Sequence, residues 1–233
     1  MRRRVLWLAV GLMLTGVAAI LATLLILLQH EPSFYRRAAV PAGHQRAEWS
    51  EQFKASVTGF ILWIKNGGDT KTGNWNGKFS ELGINSYLAE DFVRDGLAQK
   101  LLPDGVSDVR LVLEQDRIRL GFRYGEGPWS TVISVAFRVW LAHHEQNVAV
   151  LELESLHAGA LPISAQSLLE QISEALRSYN IQVTWYRHNG NPTAALKFIT
   201  DQPRPTCQVL QVGLTPASLE IFGRSSEPLD NPH

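Results

Sequence analysis

Hydrophobic positions along this chain change regime twice: one unbroken run, then recurrence at three- and four-residue steps, then alternation. Residues 5–28 hold no charged side chain, and only Thr15 and Thr23 are polar. As a helix the run is roughly 36 Å long, against a hydrocarbon core of roughly 30 Å, so it predicts a transmembrane anchor. A core helix is a poor match, because the run is apolar all round. A cleaved signal peptide would have a shorter apolar region ending in a small-x-small site. This run instead exits through Leu24 to Leu28 into Gln29-His30-Glu31-Pro32, which predicts an uncleaved anchor.

Residues 29–49 mix proline, glycine, alanine and charge without a period, and read as a stalk. Phe53, Val57, Phe60, Ile61 and Ile64 then share one face of a helix over residues 50–65. Ser50 is the expected cap, and Asn66-Gly67-Gly68 ends the helix. Residues 67–77 read as a polar loop. Ser80 caps a second helix over residues 81–100, with Ile84, Leu88 and Phe92 along one side.

From Val106 the period becomes two. Val109, Leu111 and Leu113 share one side of a strand, and Ile118, Leu120, Phe122 and Tyr124 share one side of the next. Residues 129–141 alternate from Trp129 to Leu141, and residues 148–156 return, giving a four-stranded antiparallel meander with one apolar face. A third helix starts at Pro162 or Ser164 and reaches Tyr179, burying Leu168, Leu169, Ile172 and Leu176. Residues 181–185, 193–200 (with Leu196 and Phe198), 207–212 and 219–222 supply further strands.

The expected fold class is therefore α+β: an N-terminal transmembrane helix, then an antiparallel β-meander sheet of about six to eight strands packed with about three helices. The expected organisation is a tip over residues 1–4, the anchor over 5–28, a stalk over 29–49, a domain over 50–223 and a frayed tail over 224–233.

Charge sets the orientation. Arg2, Arg3 and Arg4 precede the span and hold the amino end in the cytoplasm, weakly opposed by Arg36 and Arg37. Residues 31–233 are then extracytoplasmic, with a bacterial inner membrane as the expected location. The whole chain carries 22 basic and 22 acidic residues, a balance that argues against a nucleic-acid partner. One cysteine in 233 residues excludes an internal disulfide and a thiolate-rich zinc site. The sole near-sequon, Asn191-Pro192-Thr193, is blocked by its proline.

Candidate chemistry is sparse. His143-His144-Glu145 lacks the one-turn spacing of a zinc peptidase pair and reads as a hairpin turn. Residues 67–77 are glycine-rich but no Gly-Lys-Ser/Thr closes them. Glu152 and Glu154 share a strand face and read as its solvated side, and Glu90-Asp91 as the polar side of the second helix. His188 reads as a turn residue and Cys207 as a small hydrophobe in a strand. Seven tryptophans are more than average, and Trp129, Trp140 and Trp185 are placed on strands.

Two segments resemble a known family. Phe79-Ser80-Glu81-Leu82-Gly83-Ile84-Asn85-Ser86-Tyr87-Leu88 is similar to an early segment of a family of uncharacterised single-pass bacterial membrane proteins. Leu156-His157-Ala158-Gly159-Ala160-Leu161-Pro162-Ile163-Ser164 resembles that family's later Gly-x-Leu-Pro segment. The resemblance implies an extracytoplasmic α+β domain and transfers no activity and no site residue.

The leading functional expectation is a membrane-anchored binding module holding a lipid or other apolar ligand between sheet and helices, without cofactor and without catalysis. Phe60, Ile64, Phe92, Phe122, Ile133, Phe137 and Val139 are the expected lining. The alternative is a non-enzymatic structural or interaction module with a protein partner in the envelope; an enzyme would need convergent polar groups not visible in the linear sequence. The bilayer itself is the partner expected through residues 5–28.

Overall fold

A computed structural model describes residues 2–142, 144–164, 166, 169–170, 173, 181–197 and 207–225. The first helix, α1 (Arg2–Leu28), is long and apolar enough to cross a membrane, and its residues 12–26 are exposed. The chain turns at residues 29–32 and forms a short helix, α2 (Ser33–Arg37), then a long one, α3 (His44–Lys65). Strand β1 (Asn74–Ser80) follows, with the helices α4 (Glu81–Ala89), α5 (Asp91–Arg94) and α6 (Leu97–Leu101) behind it. The rest is mainly strand: β2 (Val106–Glu114), β3 (Arg117–Tyr124), β4 (Thr131–Leu141), β5 (Val148–Ala158) and the two-residue β6 (Leu161–Pro162). Then come β7 (Gln182–His188), β8 (Asn191–Lys197), β9 (Cys207–Thr215) and β10 (Ser218–Ser225).

The fold is α+β with a seven-stranded antiparallel sheet, ordered β2-β3-β4-β5-β8-β7 with β6 on β5. Registers such as Ile118↔Phe137 and Leu120↔Val135 put the apolar sides of neighbouring strands on one face. Val135, Leu153 and Leu156 are buried there, flanked by Leu120, Phe122, Ile133, Phe137 and Leu169. Leu169 comes from the third helical segment, where Gln166, Leu169, Glu170 and Ser173 are helical. Its Leu168, Ile172 and Leu176, together with His143, Phe198 and the tail beyond Ser225, lie outside the described residues. A bulge at Ala136/Phe137 makes Glu154 an extra residue in β5, so Glu154 and Ser155 both fall between the apolar Leu153 and Leu156 and join Glu152 on the other face.

A second sheet is an addition to the expected architecture. Strands β1, β10 and β9 pair antiparallel, so part of the expected loop over residues 67–77 is strand. Trp75, Gly77 and Phe79 point to the side where α3 lies: Phe60 meets Trp75 at 5.6 Å and Phe79 at 5.5 Å, edge to face. A Cβ on Gly223 would collide with the Trp75 indole, so glycine is what lets that ring lie flat on β10. Asn147 ties the two sheets together. Its side-chain amide donates to the Cys207 carbonyl at 2.8 Å, and its oxygen accepts from Val209 N–H at 2.9 Å.

Helix boundaries differ from the sequence expectation for identifiable reasons. Helix α3 begins at His44, six residues before Ser50, and Ser50 is fully buried inside it. Ser50 donates to Asp91 at 2.5 Å, and Lys54 and Arg94 pair with the same carboxylate. Asp91 is 1% exposed, which corrects its reading as a solvated residue. The expected helix over residues 81–100 is three short ones, broken at Glu90 (φ −112°, ψ −83°) and at left-handed Gly96. Ser80 does cap α4, accepting from Gly83 N–H at 3.0 Å.

The start of the segment expected as a stalk is docked on the large sheet. The Thr131 hydroxyl donates to the Leu28 carbonyl at 2.5 Å, and Ala160 N–H to the Leu27 carbonyl at 2.8 Å. Both carbonyls belong to the last turn of α1, which has no partners within the helix. Gly159, at φ +58°, lies against the same carbonyls, where a Cβ would clash. Arg123 pairs with Glu31. Phe34 and Tyr35 are then buried on the face opposite the apolar one, with Val132. Tyr35 is wholly inaccessible: its hydroxyl donates to the Asp108 carbonyl at 2.7 Å, and the Arg110 guanidinium sits 4.2 Å over its ring. Burial first, and then the Asp108 charge, raise the Tyr35 phenol far above its ordinary pKa.

Candidate functional site

The seven residues expected to line one cleft fall into two groups. Phe60 and Ile64 belong to α3, and Phe60 packs on the small sheet; Phe92, in α5, is buried with its ring 6.2 Å from Tyr87. Phe122, Ile133 and Phe137 ring the core of the large sheet. Val139 lies farther along β4, its N–H donating to the Asp116 carbonyl at 3.2 Å. Val139 alone of the seven lines any of the clefts described next.

One cleft of about 730 Å³ separates the β4–β5 turn from β9 and is lined by Arg138, Trp140, His144 and Asn147. Another, of about 570 Å³, lies between the third helical segment and β7–β8. Leu169, Ser173, Trp185 and Pro192 line it, and the Trp185 indole donates to Ser173 at 2.7 Å. It is the nearest counterpart of the expected sheet–helix cleft, with different residues.

A third, of about 590 Å³, is set apart by its position. It opens on the polar face of the large sheet, beside the end of α1. His30, Ser33 and Phe34 wall it on the docked linker side, and Arg117, Arg119, Ser134, Glu154, Ser155 and His157 on the strand side. Its polarity follows from alternation: once Ile118 and Leu120 take the apolar face, Arg117 and Arg119 must take the other. The same parity and the bulge bring Glu154 between Arg117 (2.5 Å) and Arg138 (2.7 Å). Glu114 pairs with Arg119 at 3.2 Å and reaches Arg117 at 3.6 Å. The hydrogen bond to Glu154 is the main reason the Arg117 pKa is raised. Arg119 also faces the Phe34 ring, 5.8 Å away.

Three guanidiniums thus share Glu114 and Glu154, and Glu152, the cross-strand partner of Arg138, balances the third charge. Each guanidinium carries five N–H donors, more than these carboxylates use, and three serine hydroxyls add further polar groups. The chemistry suits an anion with several acceptor oxygens, such as a phosphate or carboxylate. Among the described residues there is no group of three His, Cys, Asp or Glu side chains able to hold a metal ion.

Along the same face, Glu152 is 2% exposed, which corrects its reading as solvated. It is shielded by immediate neighbours rather than deep in the molecule: Asn191 donates to it at 2.7 Å and His188 Nδ1 lies 3.3 Å away. The Asn191 hydrogen bond, and then that of His188, lower its pKa. Burial raises the pKa of the Cys207 thiol, which leaves it a weak nucleophile. Trp129 is not on a strand; it ends a 3₁₀ turn, Gly127–Trp129, and is 77% exposed.

Sequence reasoning placed no site in the polar groove. The signal available was the row Arg117, Arg119, Arg123 on the non-apolar side of β3. What the row could not carry was its opposition to residues 30–34, expected to be part of a stalk. No family model, curated protein or solved structure matches the chain.

Proposed function

We propose that this protein is a membrane-anchored, non-catalytic binding module of a bacterial inner membrane, with its amino end cytoplasmic and its domain extracytoplasmic. Its ligand is a phosphate-bearing lipid, whose headgroup enters the groove of Arg117, Arg119, Ser134, Ser155 and His157. The observation that carries this reading is the junction. Hydrogen bonds from Thr131 and Ala160 to the last carbonyls of α1 fix the groove beside the point where the chain leaves the apolar span. The apolar face of the sheet favours core over cavity, since Phe122, Ile133 and Phe137 pack round Val135, Leu153 and Leu156. The resemblance to single-pass envelope proteins fits the same reading, and its second segment contains Gly159 and Ala160, which contact α1.

Native mass spectrometry of the full chain, released from nanodiscs containing phosphatidylglycerol, tests the proposal. Retained phospholipid that is lost in Arg119→Glu, with fold intact, is the expected result; equal retention in both proteins contradicts it. An impermeant maleimide reacting with Glu145→Cys, in the Cys207→Ser chain, in intact spheroplasts checks the orientation. The alternative, an interaction module, is favoured by one feature. Trp63, Leu210 and Phe222 are exposed around a cleft of about 490 Å³ on the small sheet, next to exposed Ile61 and Leu62.

A further inference from the structure

We infer that the β3–β4 turn is a second membrane contact, with Trp129 and Tyr124 seated in the headgroup layer of the bilayer that α1 crosses. This inference rests on the anchor reading above and adds to it a surface that fixes how the domain sits.

The placement follows from the junction. Thr131, the first residue of β4, donates to the Leu28 carbonyl, and Tyr124 is its direct partner on β3. Trp129 is two residues beyond Thr131. At about 3.3 Å per residue its backbone lies within roughly 7 Å of Thr131, the residue hydrogen-bonded to the end of α1, whatever the tilt of the strands. The headgroup layer is itself roughly 5–8 Å thick on each side of the hydrocarbon. Trp129 is 77% exposed in a turn held by its own contacts: Ser130 N–H and the Ser130 hydroxyl both donate to the Gly127 carbonyl, at 3.2 and 3.0 Å. At that exposure the indole adds little to the core of the described residues. Tyr124 is also exposed, as is Ile163, three residues after the Ala160 that touches α1.

Indole and phenol rings favour the bilayer interface, where an apolar body meets lipid and a polar tip meets water. Charge supports an uncharged mode of contact. Glu126 and Asp104 are exposed on the turns at this end, and Arg123 is committed to Glu31. The contact should therefore form on phosphatidylcholine as readily as on anionic lipid. The chain also leads away from this end: Tyr35, seven residues past Leu28, packs on Gly121, whose partner is Ser134. The β4–β5 turn is roughly 33 Å along β4 from the junction.

The test uses the full chain in phosphatidylcholine vesicles, with Cys207→Ser removing the native thiol. A fluorophore is attached at Glu126→Cys, beside the intact Trp129, at Leu21→Cys within α1, and at Glu145→Cys at the far turn. Lipids carrying a nitroxide high on the acyl chain should quench the Glu126 site and spare the Glu145 site, and Trp129→Ser should remove the quenching at Glu126. Quenching at Leu21 with Glu126 as unquenched as Glu145 overturns the inference and leaves the anchor standing. No quenching at Leu21 overturns both. Quenching at Glu126 unchanged by Trp129→Ser overturns the role given to the indole. Self-association through this turn would instead show as label-to-label energy transfer without lipid quenching, which also overturns it.

Discussion

Asp91 shows at the residue scale how burial decides what a charge does. Its carboxylate is inaccessible, yet it accepts from Ser50 and faces Lys54 and Arg94, whose charged ends remain partly in water. Asp91→Ala leaves those cations hydrated but strands the buried Ser50 hydroxyl, so a loss of about 2 kcal/mol is expected in chemical unfolding. Glu152 makes a prediction about pH. Its lowered pKa means the native protein binds this proton more weakly than the unfolded chain, whose glutamates titrate near about 4.3. The stabilisation is complete above that value and is lost as pH falls through the native pKa. The stability difference between the protein and Glu152→Gln should therefore shrink on acidification; a pH-independent difference would contradict the assignment. Neither residue was legible in sequence, because Asp91 and Glu152 sit in patterns that ordinarily mark a solvated side.

Elements built from long alternation were readable, and those made by distant closure were not. Strands β2 to β5, β7 and β8 follow their period-two patterns. Strand β1 has the same signal in Trp75, Gly77 and Phe79, but its partner β10 lies more than 130 residues away, and its polar positions suggested a loop. The edge of β2 is closed by side chains that mimic a strand. Asn85 donates to the Leu111 carbonyl and accepts from Leu111 N–H, both at 2.8 Å, and Glu81 accepts from Leu113 N–H at 2.7 Å. Asn85→Ala should cost roughly 1–3 kcal/mol and open this edge to pairing between molecules, which light scattering on warming would detect. The linker offers a sharper test. A Cβ on Gly121 would come within 2.6 Å of the Tyr35 ring. Gly121→Val should displace Tyr35 and unfold α2, so that the already exposed Arg36 and Arg37 become sites of rapid tryptic cleavage while the sheet stays folded.

Over the whole molecule, an α+β domain was legible and its mounting was not. The span and the meander are patterns within continuous stretches of chain. The groove exists only because residues 30–34 fold back over Arg117 and Arg119, and the aromatic pair Phe34-Tyr35 was the one local hint that they would. The proposal stands on α1 and the sheet forming one rigid unit, which would hold the groove at a bilayer surface. Electron–electron distance measurement between spin labels at Leu21→Cys and Glu145→Cys, in the Cys207→Ser full chain in nanodiscs, tests it most directly. A docked linker predicts one narrow distance distribution, broadened by Gly121→Val. A free 21-residue stalk would spread the distances over roughly 25 Å, and such a distribution in the unaltered linker would contradict the account.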